Sequence, residues 1–335
     1  MSNKTSKLLI KTFVKSALKD SDESPERCTR NLVDMALHFS NGRFQQSFFE
    51  IARTMLDNEN SPYYPLIEDT LKHVDKERLI DFGMALGYNG CTMGAHMIRK
   101  IKRTENVNVP WFLSLEIPEN CTDVVSRYQP IIDQGKELGI YIYFLYTDSL
   151  IVTNLIPLIK NNPDCAVILI CPSDSVTEDF AEAISPLYNL LIGVQLDDHT
   201  DTACLVLRDH RLLYSVCYTV SETKSSDVLS GSYFRFAEDM HCIFSAVVPD
   251  PTCSQQTRKA IYDAVLKSRN EQLYRSVPMD LIDDAILVGN IISPPTALLR
   301  FNYDGDLRVP DRSISSTKLN LFKQPLKEIL SKAII

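Results

Sequence analysis

The chain has 335 residues, 44% of them apolar and 23% charged, with 11 glycines and a formal net charge of −8. That composition predicts a packed globular protein, long enough for one large domain or a medium domain with an appendage. The negative balance excludes a general nucleic-acid binder, which needs a basic face to displace counterions from phosphates.

No apolar run approaches the ~20 residues that span a bilayer. The N-terminus shows no charged-then-apolar leader with a small-residue cleavage site, so a cytoplasmic location is expected. Nine cysteines stand at 28, 91, 121, 165, 171, 204, 217, 242 and 253. Their odd number, and their place inside apolar runs such as CAVILIC, fit a reducing compartment in which cysteine acts as a small buried hydrophobe. No CxxC or CxxxCxxC spacing occurs.

Residues 4–19 carry Lys4, Lys7, Lys11, Lys15 and Lys19 between Leu8, Phe13, Val14 and Leu18. This is an amphipathic helix with one basic stripe. Its first reading is the solvated face of a docked helix, and its alternative is contact with an anionic membrane surface. Helical patterns follow over 27–56, 62–73, 75–87 and 91–104. GYNG (87–90) reads as a turn, because Gly and Asn take left-handed conformations readily.

From residue 110 the period changes. Runs rich in β-branched and aromatic residues appear at 111–117, 140–147, 166–171, 191–197, 213–220 and 242–249. Helical patterns at 122–138, 149–160, 177–188, 224–240 and 254–272 follow or separate them. Apolar strands alternating with helices predict an α/β fold with a parallel sheet covered on its faces. The expected form is a partial (βα)6 TIM-like barrel. Only fifteen residues (198–212) separate the fourth and fifth strands, so that crossover is either a minimal helix or a strand-like CLVLR. The tail holds a hairpin turning at Asp304-Gly305 and a closing helix beginning at Lys318. Three parts result: a helical N-terminal extension (1–108), the partial barrel (109–275) and a C-terminal extension (276–335).

Chemistry in a βα barrel sits at the C-terminal strand ends. The candidate mouth residues there are Glu116, Cys121, Tyr146, Asp148, Ser173, Asp197 and Asp198. Glu116, Asp148 and Asp197 together would form an acidic pocket in which repulsion raises one pKa. The run Asp197-Asp198-His199-Thr200-Asp201 reads as a solvated acidic loop, because adjacent strand residues point to opposite faces and rarely converge on one ion. No metal site is expected. His241-Cys242 lies at the structural end of the barrel, Trp111 reads as core, and Asn302, Asp304 and Asp306 read as a turn rather than a calcium loop.

The phrases NSPYYPLI, NVNVPWFLSLE, QGKELGIYIY, SVCYTVSE, PMDLIDDA and NYDGD give residues 60–310 a resemblance to the radical SAM superfamily. The likeness is to members with a helical N-terminal and a SPASM-like C-terminal extension. The resemblance implies a [4Fe–4S] cluster held by CxxxCxxC after the first strand, with S-adenosylmethionine on its open iron. Here the first cysteine matches Cys121, but Val125 and Tyr128 stand at the next two positions, and one thiolate cannot hold a cluster that needs three. A GGEP-like run is matched by Thr147 to Leu150, and a TNG by Cys171 to Ser173. The serine-then-glycine pattern after the fourth strand is matched by Gln195 and Asp198, and auxiliary-cluster cysteines fall on Ile291 and Pro310.

A degenerate member of that superfamily is therefore expected: a pseudoenzyme acting as a binding or accessory protein. Both the ancestral [4Fe–4S] cluster and S-adenosylmethionine are expected to be lost, leaving no cofactor. Its partner would be an active radical SAM homologue or a peptide. The alternatives are a cluster-free protein that keeps the barrel mouth for a nucleotide-like small molecule, and an active enzyme with an unusual ligand set from Cys91, Cys121 and Cys171.

Overall fold

A computed structural model describes residues 3–19, 25–39, 43–118, 121–148, 152–310 and 314–333. Ten strands form one sheet: β1 Leu113–Glu116, β2 Ile142–Tyr146, β3 Ala166–Cys171, β4 Leu190–Gln195, β5 Tyr214–Val220, β6 Phe244–Pro249, β7 Val277–Asp280, β8 Arg300–Phe301, β9 Asp306–Val309 and β10 Ile314–Asn320. Their order is β10-β9-β8-β1-β2-β3-β4-β5-β6-β7. Strands β1 to β7 run parallel, β8 joins β1 in parallel, and β9 and β10 continue antiparallel. The protein is a mixed α/β fold with a large parallel sheet.

The sheet is longer than the six strands expected. Strand β7 escapes a reading by apolar runs because it has four residues, one of them Pro278. The tail also differs. The expected hairpin turns at Gly305, whose φ of +83° is a left-handed conformation suited to glycine. Residues 318–320 belong to β10, however, and the closing helix is confined to Leu326–Lys332. The short crossover after β4 is a helix, Thr200–Asp209, and not a strand.

Each strand alternates between two buried faces, as parallel sheets require. Leu113, Leu115, Tyr143, Leu145, Val167, Leu169, Ile192, Val194 and Val216 pack against the crossover helices, among them Val124–Leu138 and Glu178–Ile184. The opposite face carries Phe112, Ile142, Ala166, Leu191 and Leu213. It packs on Phe82 and Ala85 from the N-terminal part and on Ala285 from helix Asp283–Ile292. We call these the crossover face and the cap face.

GYNG is not a turn. Helix Lys76–Gly83 runs on through a π-helix, Met84–Gly94, into helix Ala95–Glu105. The glycines there serve close packing. A Cβ on Gly90 would sit 2.5 Å from Ile142 Cδ1, and one on Gly94 would sit 2.3 Å from the Gly139 carbonyl.

The N-terminal helix is Asn3–Lys19. Its basic stripe is used within the fold: Lys11 pairs with Asp81, and Lys15 lies 2.7 Å from Glu77. Among the described residues no helix is long and apolar enough to cross a membrane.

Candidate functional site

Parallel strands bring their C-terminal ends to one rim of the sheet, and the candidate residues fall into three separate groups along it. The first lies where β8 meets β1. Glu116 and Tyr146 are register partners on the cap face. Arg300 enters from β8 two residues lower, beside Ser114, and its side chain rises past Glu116. Its guanidinium carbon stacks 4.1 Å from the Tyr146 ring centroid. Arg300 Nε lies 2.7 Å from Glu116 Oε1, an ion pair by distance. The N–H does not point along that line, so this buried nitrogen makes no hydrogen bond. Above them, Tyr303 from the β8–β9 turn donates its hydroxyl to Asp148 Oδ2 at 2.5 Å.

An apolar layer packs against Tyr146 on the same face. Ile170, Cys217 and Ala246 are buried with Phe144, Tyr146, Val248 and Leu281 around them. Burial, with Cys217 nearby, pushes the Tyr146 phenol well above its usual range. Burial likewise pushes the Cys217 thiol up to about 12, against the opposing pull of Arg300. Neither group ionises near neutral pH, so the charges of this layer are those of Glu116 and Arg300.

The second group joins the ends of β3 and β4. Ser173 Oγ donates to Asp197 Oδ1 at 2.5 Å, and the Ser173 amide donates to Oδ2 at 3.3 Å. The His199 amide donates to Asp197 Oδ1 at 2.9 Å, and Thr200 Oγ1 accepts from the Asp197 amide at 2.8 Å. Burial pulls the Asp197 carboxyl upward, but these bonds, led by that of Ser173, outweigh it and hold the group below its usual value. Asp198 stands exposed beside it. This is a clasp between two strand ends.

Cys121 forms the third group and lies apart from the mouth. Its side chain is buried in the crossover-face core, with Sγ 3.5 Å from Asp123 Oδ1. Burial and the Asp123 hydrogen bond both push its thiol up, so it is protonated at neutral pH. Tyr128, seven residues further on, is buried against Phe322 and donates to the Glu116 carbonyl at 3.3 Å. Between the first and second crossovers the rim opens into a shallow hollow of about 510 Å³ lined by Asp123, Ser126, Thr153 and Asn154.

The three carboxylates do not gather into one acidic pocket. Glu116 is bound to Arg300, Asp148 to Tyr303 and Asp197 to Ser173. Nor do Cys91, Cys121 and Cys171 form a ligand trio: Cys91 packs on the cap face, and Cys121 and Cys171 lie on the crossover face. Among the described residues no three His, Cys, Asp or Glu side chains are placed to hold a metal ion. One protonated thiol at the loop after β1 does not fit a [4Fe–4S] cluster, which takes three protein thiolates.

Sequence reasoning missed Arg300 and Tyr303. Arg300 had a signal, since it is the one charge in the apolar run TALLRF, and alternation would set it on a buried face. Tyr303 had none beyond its place in a turn.

No protein-family model matches the sequence, and no curated protein matches it. Two crystal structures of SuiB from Streptococcus suis share its fold. One is bound to S-adenosylmethionine, with a TM-score of 0.51 and 9% identity over 71% of this chain and 67% of that one. The other gives a TM-score of 0.52 and 9% identity over 91% of this chain and 82% of that one. The expectation of no cofactor is corrected by the first of these, because a chain of this architecture holds S-adenosylmethionine. That expectation counted ligand side chains at motif positions, whereas a rim formed by parallel strand ends can receive a ligand through other residues. This chain therefore shares the fold of SuiB, a mixed α/β architecture with a large parallel sheet.

Proposed function

We propose that this chain is a non-catalytic binding protein on a radical SAM-like fold, which holds a ligand of the S-adenosylmethionine class at the sheet rim without cleaving it. The carrying observation is the group at the β8–β1 junction. Glu116 and Arg300 present opposite charges beside an apolar layer, and the buried Arg300 Nε has no hydrogen bond. Buried polar groups are normally satisfied, so an orphaned donor in a rim is where a ligand acceptor gains most. The shared fold with an S-adenosylmethionine-bound chain supports the ligand class. The single buried thiol after β1 supports binding without reductive cleavage.

The test is thermal unfolding with added S-adenosylmethionine. A ligand that binds only the native state raises the midpoint, by an amount set by its concentration over Kd. A rise in the unmodified protein that is lost in Glu116→Gln is expected. No rise at millimolar ligand would defeat the proposal.

A second reading, an accessory subunit, is favoured by one surface. Leu287 and Ile291 lie one turn apart on helix Asp283–Ile292 and are exposed, as is Ile51 on helix Arg43–Leu56, which packs beside it. Co-elution with a cluster-bearing radical SAM homologue encoded next to it, abolished by Leu287→Asp, would support that role. A monomeric elution in that mixture would remove it.

A further inference from the structure

We infer that Asp69, His73, Arg208 and His241 form an acid-operated latch, which loosens the N-terminal helices from the sheet as the two imidazoles take up protons. The latch lies at the N-terminal end of the sheet, away from the rim, and its test needs no ligand. Helix Tyr63–His73 supplies Asp69 and His73, helix Thr200–Asp209 supplies Arg208, and the turn before β6 supplies His241. With Tyr214 of β5 they line one small hollow. Each oxygen of Asp69 meets one guanidinium nitrogen and one imidazole. Oδ1 lies 2.7 Å from Arg208 Nη2 and 3.0 Å from His73 Nδ1. Oδ2 lies 2.9 Å from Arg208 Nη1 and 3.4 Å from His241 Nδ1. His73 Nδ1 is also 3.0 Å from the Asp69 carbonyl and 2.9 Å from Arg208 Nη2. Arg208 donates to that nitrogen only while it carries no proton.

With both imidazoles neutral, one carboxylate faces one guanidinium, and their two hydrogen bonds tie the two helices together. Imidazole is the side chain that changes charge between pH 5 and 8. Two added protons set three cations around one anion. A protonated His73 Nδ1 turns from acceptor to donor, repels Arg208 and competes with it for Oδ1, as His241 does for Oδ2. The side chains of His73 and His241 are 45% and 50% exposed, so water reaches both without prior unfolding. The other groups facing the site do not offset the added charge. Burial pulls the Asp69 carboxyl upward, but the bonds from Arg208 outweigh it and hold the group below its usual value. Burial pushes the Tyr214 phenol far up, so it stays neutral, and Lys72 is paired with Glu68 at 2.6 Å. His241 has a φ of +55°, a left-handed conformation that costs a non-glycine residue energy. Val74, which follows the latch helix, is buried in the cap-face core, so loosening reaches the cover of that face.

Amide hydrogen exchange of the unmodified full chain at the two ends of the imidazole range, about pH 5 and pH 8, tests this directly. Rates are corrected for the intrinsic pH dependence of exchange and referred to strand β3, which removes any change in overall stability. The expected result is exchange in helix Tyr63–His73 roughly threefold faster, relative to β3, at the acid end, the scale of a half-exposed charge contact. In the double variant His73→Gln/His241→Gln, which keeps Asp69 and Arg208 but takes no proton, that acceleration disappears. Equal relative protection at the two pH values overturns the inference. So does an acceleration that survives in the double variant. The two-pH comparison on the unmodified chain keeps the test independent of how the variant folds.

Discussion

Two regions of the sheet differ in how they use polar groups: its N-terminal end and the β8–β1 corner of its C-terminal rim. At the N-terminal end most of them hold loops to strands through several hydrogen bonds, although the buried Arg78 Nε has none. The buried Arg78 donates to the carbonyls of Ser185 (2.6 Å) and Leu187 in the turn leading into β4. Asn189 donates to the carbonyls of Asn162 and Cys165, both at 2.9 Å, and Asp69 binds Arg208 through two hydrogen bonds of 2.7 and 2.9 Å. At the β8–β1 corner of the C-terminal rim the contacts are single, misaligned or exposed, Glu116 with Arg300 and Asp148 with Tyr303, whereas Asp197 further along the rim keeps several hydrogen bonds. The first region holds loops to strands with its polar groups; the second leaves them in single contacts. In folds with parallel strands this is the usual division between stability and function.

The largest effect expected sits between these regimes, at the end of β7. Asp280 is fully buried, with Oδ1 accepting from the Ile282 and Asp283 amides and Oδ2 without a hydrogen bond. Burial raises its pKa to about 7. A carboxyl whose folded pKa exceeds its unfolded one favours folding while protonated. Its contribution is complete below the unfolded value near 4 and is lost as pH rises to about 7. Full loss amounts to at most about 4 kcal/mol. Urea unfolding of Asp280→Asn should therefore lack this decline, and the gap between variant and parent should widen from pH 4 to pH 8. Parallel pH profiles would refute the assignment.

Arg78→Met comes next. It leaves the Leu187 and Ser185 carbonyls unbonded, the first of them buried, and should cost about 2–4 kcal/mol in denaturant unfolding, with ligand affinity unaltered. Gly94→Ala should cost about 1–3 kcal/mol, because the added Cβ meets the Gly139 carbonyl. In an open helix the same change would stabilise, so its sign checks the close approach. Tyr303→Phe, at the exposed rim, should change stability by less than about 0.5 kcal/mol. A loss as large as that of Arg78→Met would erase the contrast between the two regions.

The sequence made much of the scaffold legible. Strands β1 to β6 show themselves because strands buried on both faces must be apolar at nearly every position, as AVILIC is. What stayed hidden depends on partners distant in the chain. Gly87, Asn89 and Gly90 look like a turn until Ile142 and Gly139 are seen pressing on that helix. Strand β8 has two residues and exists only because β1 offers an open edge. The same holds at the rim. Glu116 and Tyr146 follow from strand ends, but their partner Arg300 comes from 184 residues beyond Glu116, and no local pattern links them. The side to which Cys121 points, into the crossover core, was likewise fixed by packing and not by spacing.

The most direct test of the account is to incubate the anaerobically purified protein with S-adenosylmethionine and a strong reductant, then dialyse it to equilibrium and analyse what is bound. The account predicts that about one molecule per chain is retained and recovered intact. Failure to retain any, or recovery of cleaved product, would contradict it.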